Sequence, residues 1–106
     1  MNNTRRKRIK EAIKMLKEGF KLNDFDAIDY GRDIILDVLD EEQYSYDNIP
    51  ESLQYSYRAE KSYEAIIALE NSYETIEQIT EVLFNKKEAE VKNNIEKAIS
   101  ILEEIL

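Results

Sequence analysis

The chain of 106 residues contains no cysteine and no histidine. The lack of thiols excludes a disulfide framework and a thiolate nucleophile, and the lack of imidazole excludes the usual zinc site and the commonest general base. Carboxylates are abundant, but the spaced Asp, Asn and Gly pattern of a calcium-binding loop is missing. We therefore predict no metal and no cofactor, and we expect the protein not to be an enzyme.

Glycine and proline are also scarce, with two residues and one residue respectively. Because a chain of many strands needs many turns, this scarcity argues against an all-β fold. Charged residues make up 36% of the sequence, and Glu, Lys, Ile, Leu and Ala are frequent, which is typical of amphipathic helices. The sequence predicts an all-α protein of one domain, residues 1–106, with helices over about 4–20, 25–46, 50–84 and 87–106.

Long hydrophobic runs are absent as well. No apolar stretch approaches the roughly 20 residues of a membrane-spanning helix. The first segment mixes apolar and charged positions, so it lacks the continuous apolar region of a signal peptide. We therefore expect a cytoplasmic protein that has no membrane partner.

The main chain reversal is predicted within residues 41–60, which contain the only proline. Asn48 can cap a helix, Pro50 suits a first helical turn, and Glu51 lies three residues after the cap. A short connection makes the flanking helices antiparallel neighbours. We predict an antiparallel helical hairpin, or coiled coil, that turns at Asn48 to Pro50.

The second arm of this hairpin carries the clearest periodicity in the chain. Steps of three and four residues connect a coiled-coil seam, formed by Ala59, Ser62, Ile66, Leu69, Tyr73, Ile76, Thr80 and Leu83. Additional isoleucines make the apolar face wider than a two-stranded seam, namely Ile67, Ile79, Ile99 and Ile101. This width predicts that the terminal helices complete a bundle, and that the chain forms a homodimer or higher oligomer.

Two further helix breaks are indicated but not decided by the pattern. Gly19 weakens a helix, and Asn23 and Asp24 are favourable N-cap residues, so we favour a break over a single arm of about 40 residues. Around Asn85 the apolar repeat loses phase. The helix either ends there or accommodates a stutter.

Charge is distributed unevenly. Residues 1–21 hold eight basic and two acidic residues, a net charge of +6, whereas residues 22–106 hold 7 basic and 21 acidic residues, a net charge of −14. In a hairpin, residues 7–21 are expected to lie opposite residues 76–92, whose glutamates neutralise part of the charge. Because phosphates would be repelled by the acidic remainder, duplex nucleic acid is not an expected partner.

The candidate ligand-binding residues combine basic and aromatic side chains. Arginines bind phosphate in a bidentate manner, although the basic first turn also fits a solvated turn that pairs with the acidic arm. The sequence Gln-Tyr-Ser-Tyr occurs at residues 43–46 and again at 54–57, and in a helix such a pair points one ring outward, to stack on a base or contact a protein. Packing at the hairpin tip is the alternative. The candidates are Arg5, Arg6, Arg8, Gln54, Tyr55, Ser56, Tyr57 and Arg58.

Several segments resemble a family of small uncharacterised helical proteins encoded by phages and prophages of low-GC Gram-positive bacteria. They are residues 5–7, 40–43, 47–54 (DNIPESLQ), 58–60 and 64–70. The resemblance extends over about residues 5–83. The chain differs in having about a heptad more before Asp40, and tyrosines where the family often has acidic residues. The resemblance implies a helical hairpin, a phage setting in the host bacterial cytoplasm, and no known catalytic role.

Two functional hypotheses follow. The first is a non-catalytic phage-type binding protein that counters a host defence system by sequestering a nucleotide signal, through the basic cluster and the outward tyrosines. The second is a coiled-coil adaptor or inhibitor that binds a host protein through its acidic face or its tyrosine-rich tip.

Overall fold

The computed structural model describes all 106 residues, and its regular elements are all helical. The five α-helices are α1 (Asn3–Lys21), α2 (Phe25–Asp47), α3 (Tyr57–Glu77), α4 (Glu81–Asn85) and α5 (Ala89–Glu103), and a 3₁₀ turn (Glu51–Leu53) lies between α2 and α3. The predicted all-α class is confirmed, and the hairpin of α2 and α3 is present.

The four longer helices form an up-down-up-down bundle. Each of α1, α2, α3 and α5 packs on the next, and α5 also packs on α1, so α1 and α3 lie diagonally across from each other. The molecule measures 51 × 21 × 18 Å. The terminal helices therefore complete the bundle within a single chain.

The core follows the heptad spacing of the sequence. Fully buried residues recur seven positions apart in α1, α2 and α3, which keeps them on the inner face of each helix. These pairs are Ile9 with Leu16, Ile28 with Ile35, and Leu69 with Ile76. In α5 the buried pair Ile95 and Leu102 has the same spacing.

The break between α1 and α2 is a Schellman turn. The Asp24 N–H donates to the Gly19 carbonyl oxygen (2.8 Å), and Asn23 has a positive φ of 53°. Asp24 then caps α2, since its side chain accepts from the Ala27 N–H at 3.3 Å. Gly19 also has a packing reason here, because a Cβ on it would lie 2.9 Å from the Asp24 carbonyl oxygen.

The helix expected over residues 50–84 is shorter and interrupted in the structure. Pro50 precedes the 3₁₀ turn, and α3 begins only after Ser56, whose hydroxyl caps the Ala59 N–H at 3.2 Å. Thr80 likewise caps α4 by accepting from the Leu83 N–H at 3.2 Å, so it is not a seam residue. Short hydroxyl side chains favour caps over helix interiors, which explains both boundaries.

The chain also breaks after Asn85 rather than continuing through a stutter. Helix α4 ends at Asn85, and Lys87 has a positive φ of 53° before α5 begins. Phe84 is buried and packs on Phe25 with ring centroids 5.5 Å apart, so this short helix covers the end of the bundle.

The expected neutralisation of the basic residues 7–21 by the glutamates of residues 76–92 is wrong, since no ion pair joins the two segments. Arg5 pairs with Glu42 of α2 at 3.3 Å, and Arg8 pairs with Glu41 of the same helix. The reason is the turn before α2, which brings the acidic helix α2 back along α1. The basic first helix is therefore partly neutralised by its sequence neighbour.

The helices of the same chain bury, fully or in part, most of the additional isoleucines that were expected to require another subunit. Ile79 and Ile99 are buried, Ile101 is half-buried, and Ile67 is exposed.

None of the helices is both long enough and apolar enough to span a membrane.

Candidate functional site: a groove at one end of the bundle

An open groove of about 1030 Å³ lies at one end of the bundle. Since neighbouring helices are antiparallel, the first turns of α1 and α3 meet there with the last turns of α2 and the end of the chain after α5. The charged and polar side chains that line the groove include Arg5, Arg6, Glu42, Tyr44, Tyr57, Arg58, Lys61, Ser62, Glu64 and Glu104.

The structure brings five of the eight candidate residues into this groove. They are Arg5, Arg6, Ser56, Tyr57 and Arg58. The other three, Arg8, Gln54 and Tyr55, do not line it, and the Tyr55 side chain is fully exposed to solvent. Residues far apart in the sequence therefore share one site, but three of the candidates lie outside it.

Arg5 is occupied by contacts within the protein. Its Nη1 donates to Glu42 Oε1 at 3.3 Å, its Nη2 donates to Ser45 Oγ at 2.8 Å, and its Nε lies 3.7 Å from Glu41 Oε1. A guanidinium that is engaged on both terminal nitrogens has few donors left for a ligand. Arg5 therefore stabilises the contact between α1 and α2.

Arg8 is also engaged with α2. It pairs with Glu41 and lies 3.9 Å from Asp37. The hydrogen bond from Arg8 holds the pKa of the Glu41 carboxyl below its ordinary value of 4.5. Because Arg8 lies outside the groove and its charge is paired, it is not placed to bind a ligand there.

Arg6 and Arg58 differ from the other three arginines because neither forms an ion pair. Arg6 donates only to the neighbouring Asn3 Oδ1, at 3.2 Å. Both side chains line the groove, one from the first turn of α1 and the other from the first turn of α3. They retain the donors that an anionic ligand would need.

The remaining charges of the groove largely cancel. Lys61 Nζ lies 3.2 Å from Glu64 Oε2, which raises the pKa of Lys61, and it also lies 5.4 Å from the centre of the Tyr57 ring. Glu42 lies between two positive groups, Arg5 and the Met1 amino group, and Glu104 is the remaining acidic side chain beside the two free arginines. The groove is thus a locally cationic site on a protein of net charge −8.

Two tyrosines add flat apolar surface to the groove. Tyr44 is 73% exposed at the end of α2, and Tyr57 is 75% exposed at the start of α3. Exposed aromatic rings of this kind stack on planar groups and on cations. The site can therefore offer guanidinium groups to phosphates and aromatic surface to a base.

Glu42 lines this groove, although it is only 2% exposed. It is not among the candidate residues predicted from the sequence. Its carboxylate contacts Arg5 of α1 and Ser62 of α3. One sequence signal identifies it, namely its position seven residues after Ile35, on the apolar stripe of α2. A charged residue at a core position indicates a buried polar contact.

No protein-family model, curated protein or solved structure matches the chain. The four-helix bundle is a scaffold on which many unrelated functions occur, so function must be argued from the groove.

Proposed function

We propose that the protein is a non-catalytic binding protein that holds a nucleotide-type small molecule in the end groove. One observation carries the proposal: Arg6 and Arg58, the two arginines without ion pairs, line the same groove as the exposed rings of Tyr44 and Tyr57. Guanidinium groups bind phosphate oxygens in a bidentate manner, and tyrosine rings stack on bases. The groove volume lies at the upper end of the range for small-molecule sites.

We further propose that binding serves to sequester a nucleotide signal of a host defence system in the bacterial cytoplasm. The resemblance to phage and prophage proteins across residues 5–83 supports this setting. Sequestration needs affinity without chemistry, and the groove offers guanidinium donors and aromatic rings for such binding.

Calorimetry and thermal-shift measurements with cyclic di- and trinucleotides and with ADP-ribose test the proposal. At least one of these should bind and raise the melting temperature, because a ligand that binds only the folded state stabilises it. Arg6→Gln and Arg58→Gln should each weaken that binding by about tenfold or more, since hydrogen bonds to charged groups contribute about 1.5–3 kcal/mol.

Lys17→Gln is the matched control. Lys17 is an exposed cation without an ion pair on α1, eleven residues after Arg6, or about 16 Å along the helix. This variant should bind like the unaltered protein. Absence of binding by every nucleotide would contradict the proposal, and equal weakening in Lys17→Gln would reduce it to non-specific charge attraction.

A second function is favoured by a different observation. Tyr55 is fully exposed and lies outside the groove, so nucleotide binding leaves it without a role. Tyrosine and arginine are enriched in protein-interaction hot spots, which fits a coiled-coil adaptor or inhibitor that binds a host protein through the tyrosine-rich tip or the acidic face of α2. Affinity capture from host lysate should then recover one defined protein, and Tyr55→Ala should lose it. A nucleotide-sequestering protein should recover none.

We also propose that the chain forms homo-oligomers. Tyr63 and Ile67 lie one turn apart on the outer face of α3 and are 53% and 40% exposed. Tyr46 of α2 extends this apolar strip, with its ring centroid 6.0 Å from that of Tyr63. A second copy would cover the strip, which the bundle itself leaves open.

A further inference from the structure

Glu42 is a carboxylate buried in the bundle, with 2% of its surface exposed. Burial of a charge is unfavourable unless the charge is paired and hydrogen-bonded. An apolar residue would fit the heptad position seven residues after Ile35 at no such cost. The contacts of Glu42 therefore indicate what the carboxylate does there.

These contacts join two helices that do not pack on each other. Glu42 Oε1 accepts from Arg5 Nη1 of α1 at 3.3 Å, and Glu42 Oε2 accepts from Ser62 Oγ of α3 at 2.5 Å. Helices α1 and α3 lie diagonally in the bundle. Glu42, on α2 between them, is a polar link from the first turn of one to the second turn of the other.

Glu42 Oε2 also lies 3.7 Å from the Met1 amino nitrogen. The other two partners of Glu42 each adjoin one of the two free arginines. Arg5 directly precedes Arg6, and Ser62 follows Arg58 by four residues, which places it one turn along the same face of α3. We infer that Glu42 is the positioning residue of the groove. It fixes the separation of Arg6 and Arg58, so that one phosphate-bearing ligand contacts both. This inference rests on the proposed nucleotide binding.

Positioning and simple charge effects predict opposite results for Glu42→Gln. The substitution removes a negative charge beside the groove, and it leaves Arg5 Nη1 and the Met1 amino group without a carboxylate partner. Coulomb attraction alone would then strengthen the binding of an anion. If Glu42 instead positions the two free arginines, the same substitution weakens anion binding.

Titration calorimetry of Glu42→Gln with ADP-ribose and with adenosine distinguishes positioning by Glu42 from a simple charge effect. We expect ADP-ribose binding to weaken by about tenfold or more, in line with the loss of a charge-assisted contact, and adenosine binding to change by less than about threefold. Glu41→Gln is the matched control, since Glu41 is the adjacent carboxylate and also contacts Arg5 but not α3. The affinity of Glu41→Gln for each compound should differ from that of the unaltered protein by less than about threefold. Unchanged or tighter ADP-ribose binding by Glu42→Gln would overturn the inference.

Hydrogen exchange gives a readout without ligand. In Glu42→Gln, the backbone amides in the second turns of α1 and α3, which are hydrogen-bonded within the helix, should exchange faster, whereas Glu41→Gln should leave those of α3 unchanged. Ser62→Ala removes the contact to α3 but keeps the contact between Glu42 and Arg5, so it should also speed exchange in α3. This second variant tests the inference if Glu42→Gln does not fold. Unchanged exchange in α3 would overturn the inference. Failure of the unaltered protein to bind any nucleotide would instead overturn the proposed function.

Discussion

Glu41 and Glu42 are neighbours in the chain, yet their environments differ. Glu42 is buried between three helices, whereas the Glu41 side chain is about half exposed and contacts Arg5 and Arg8 on the surface. The Arg8 hydrogen bond lowers the pKa of Glu41 below 4.5. The ionised form of Glu41 therefore stabilises the folded state.

The sign of the pH dependence follows from this shift. A carboxyl with a lower pKa in the folded state contributes stability above its unfolded pKa, and that contribution is lost as the pH falls through the folded pKa. Glu41→Gln should lower the free energy of unfolding at pH 7 by at most about 1 kcal/mol, because exposed ion pairs are screened. The difference between the two proteins should shrink as the pH falls below 4.5, and it should be lost once the pH lies below the folded-state pKa of Glu41.

Urea unfolding followed by circular dichroism at pH 7, 5, 4 and 3 measures this difference. Glu70→Gln is the control, because Glu70 is an exposed carboxylate on α3 that forms no ion pair. That substitution shows the effect of removing one surface carboxylate without removing an ion pair. A constant difference for Glu41→Gln would contradict the assigned role of the Arg8 contact.

At the scale of the helices, Asn23 decides whether α1 and α2 are separate. In the structure Asn23 has a φ of 53°, a conformation that glycine adopts most easily. Asn23→Gly should raise the free energy of unfolding by up to about 1 kcal/mol, and Asn23→Val should lower it by about 1–2 kcal/mol. In a continuous helix the glycine variant would instead lower it by about 0.5–1 kcal/mol.

Urea midpoints of these two variants therefore separate the turn from a rod of 40 residues. The sign for Asn23→Gly is the decisive quantity. A lower midpoint for Asn23→Gly together with an unchanged midpoint for Asn23→Val would contradict the Schellman turn.

Helix periodicity in the sequence was sufficient to predict the fold class and the buried seam residues Ile66, Leu69 and Ile76 of α3, because buried positions repeat every three or four residues whatever the partner. The helix boundaries at Ser56 and Thr80 were missed. Thr80 satisfies the spacing of the seam, and Ser56 lies inside the helix predicted over residues 50–84. Only the hydroxyl contacts of the two residues show that they are caps. Local caps can interrupt a pattern that is otherwise regular.

The site was predictable only in part, since it depends on how the whole bundle is assembled. Exposed tyrosines and the basic first turn identified Arg6, Tyr57 and Arg58 as candidates. Which arginines stay free depends on α2 lying beside α1, where it pairs Arg5 and Arg8. That arrangement follows from the turn at Asn23, and the charge pattern alone placed the basic segment against the wrong part of the chain.

The association state is the property of the whole molecule that remains a prediction. Association was predicted because the apolar face of the helices is wide and contains additional isoleucines. The bundle buries Ile79 and Ile99 but leaves Ile67 exposed beside Tyr63. An apolar strip of two helices should bind a second copy weakly. Glutamates along α3 surround the strip, so salt should strengthen the association by screening their repulsion.

Sedimentation equilibrium from 10 to 300 µM, in roughly 0.1 M and 0.5 M salt, should give a mass above the 12.5 kDa of one chain. Ile67→Lys should return the protein to a single chain with unchanged helical content, because a lysine places a charge in the buried contact. Val82→Lys is the control: Val82 is more exposed than Ile67, at 62%, and lies at the opposite end of α3 from the groove, so it should still associate. A mass of one chain at every concentration would show that the bundle is complete alone, and that the groove must bind its ligand without a second copy.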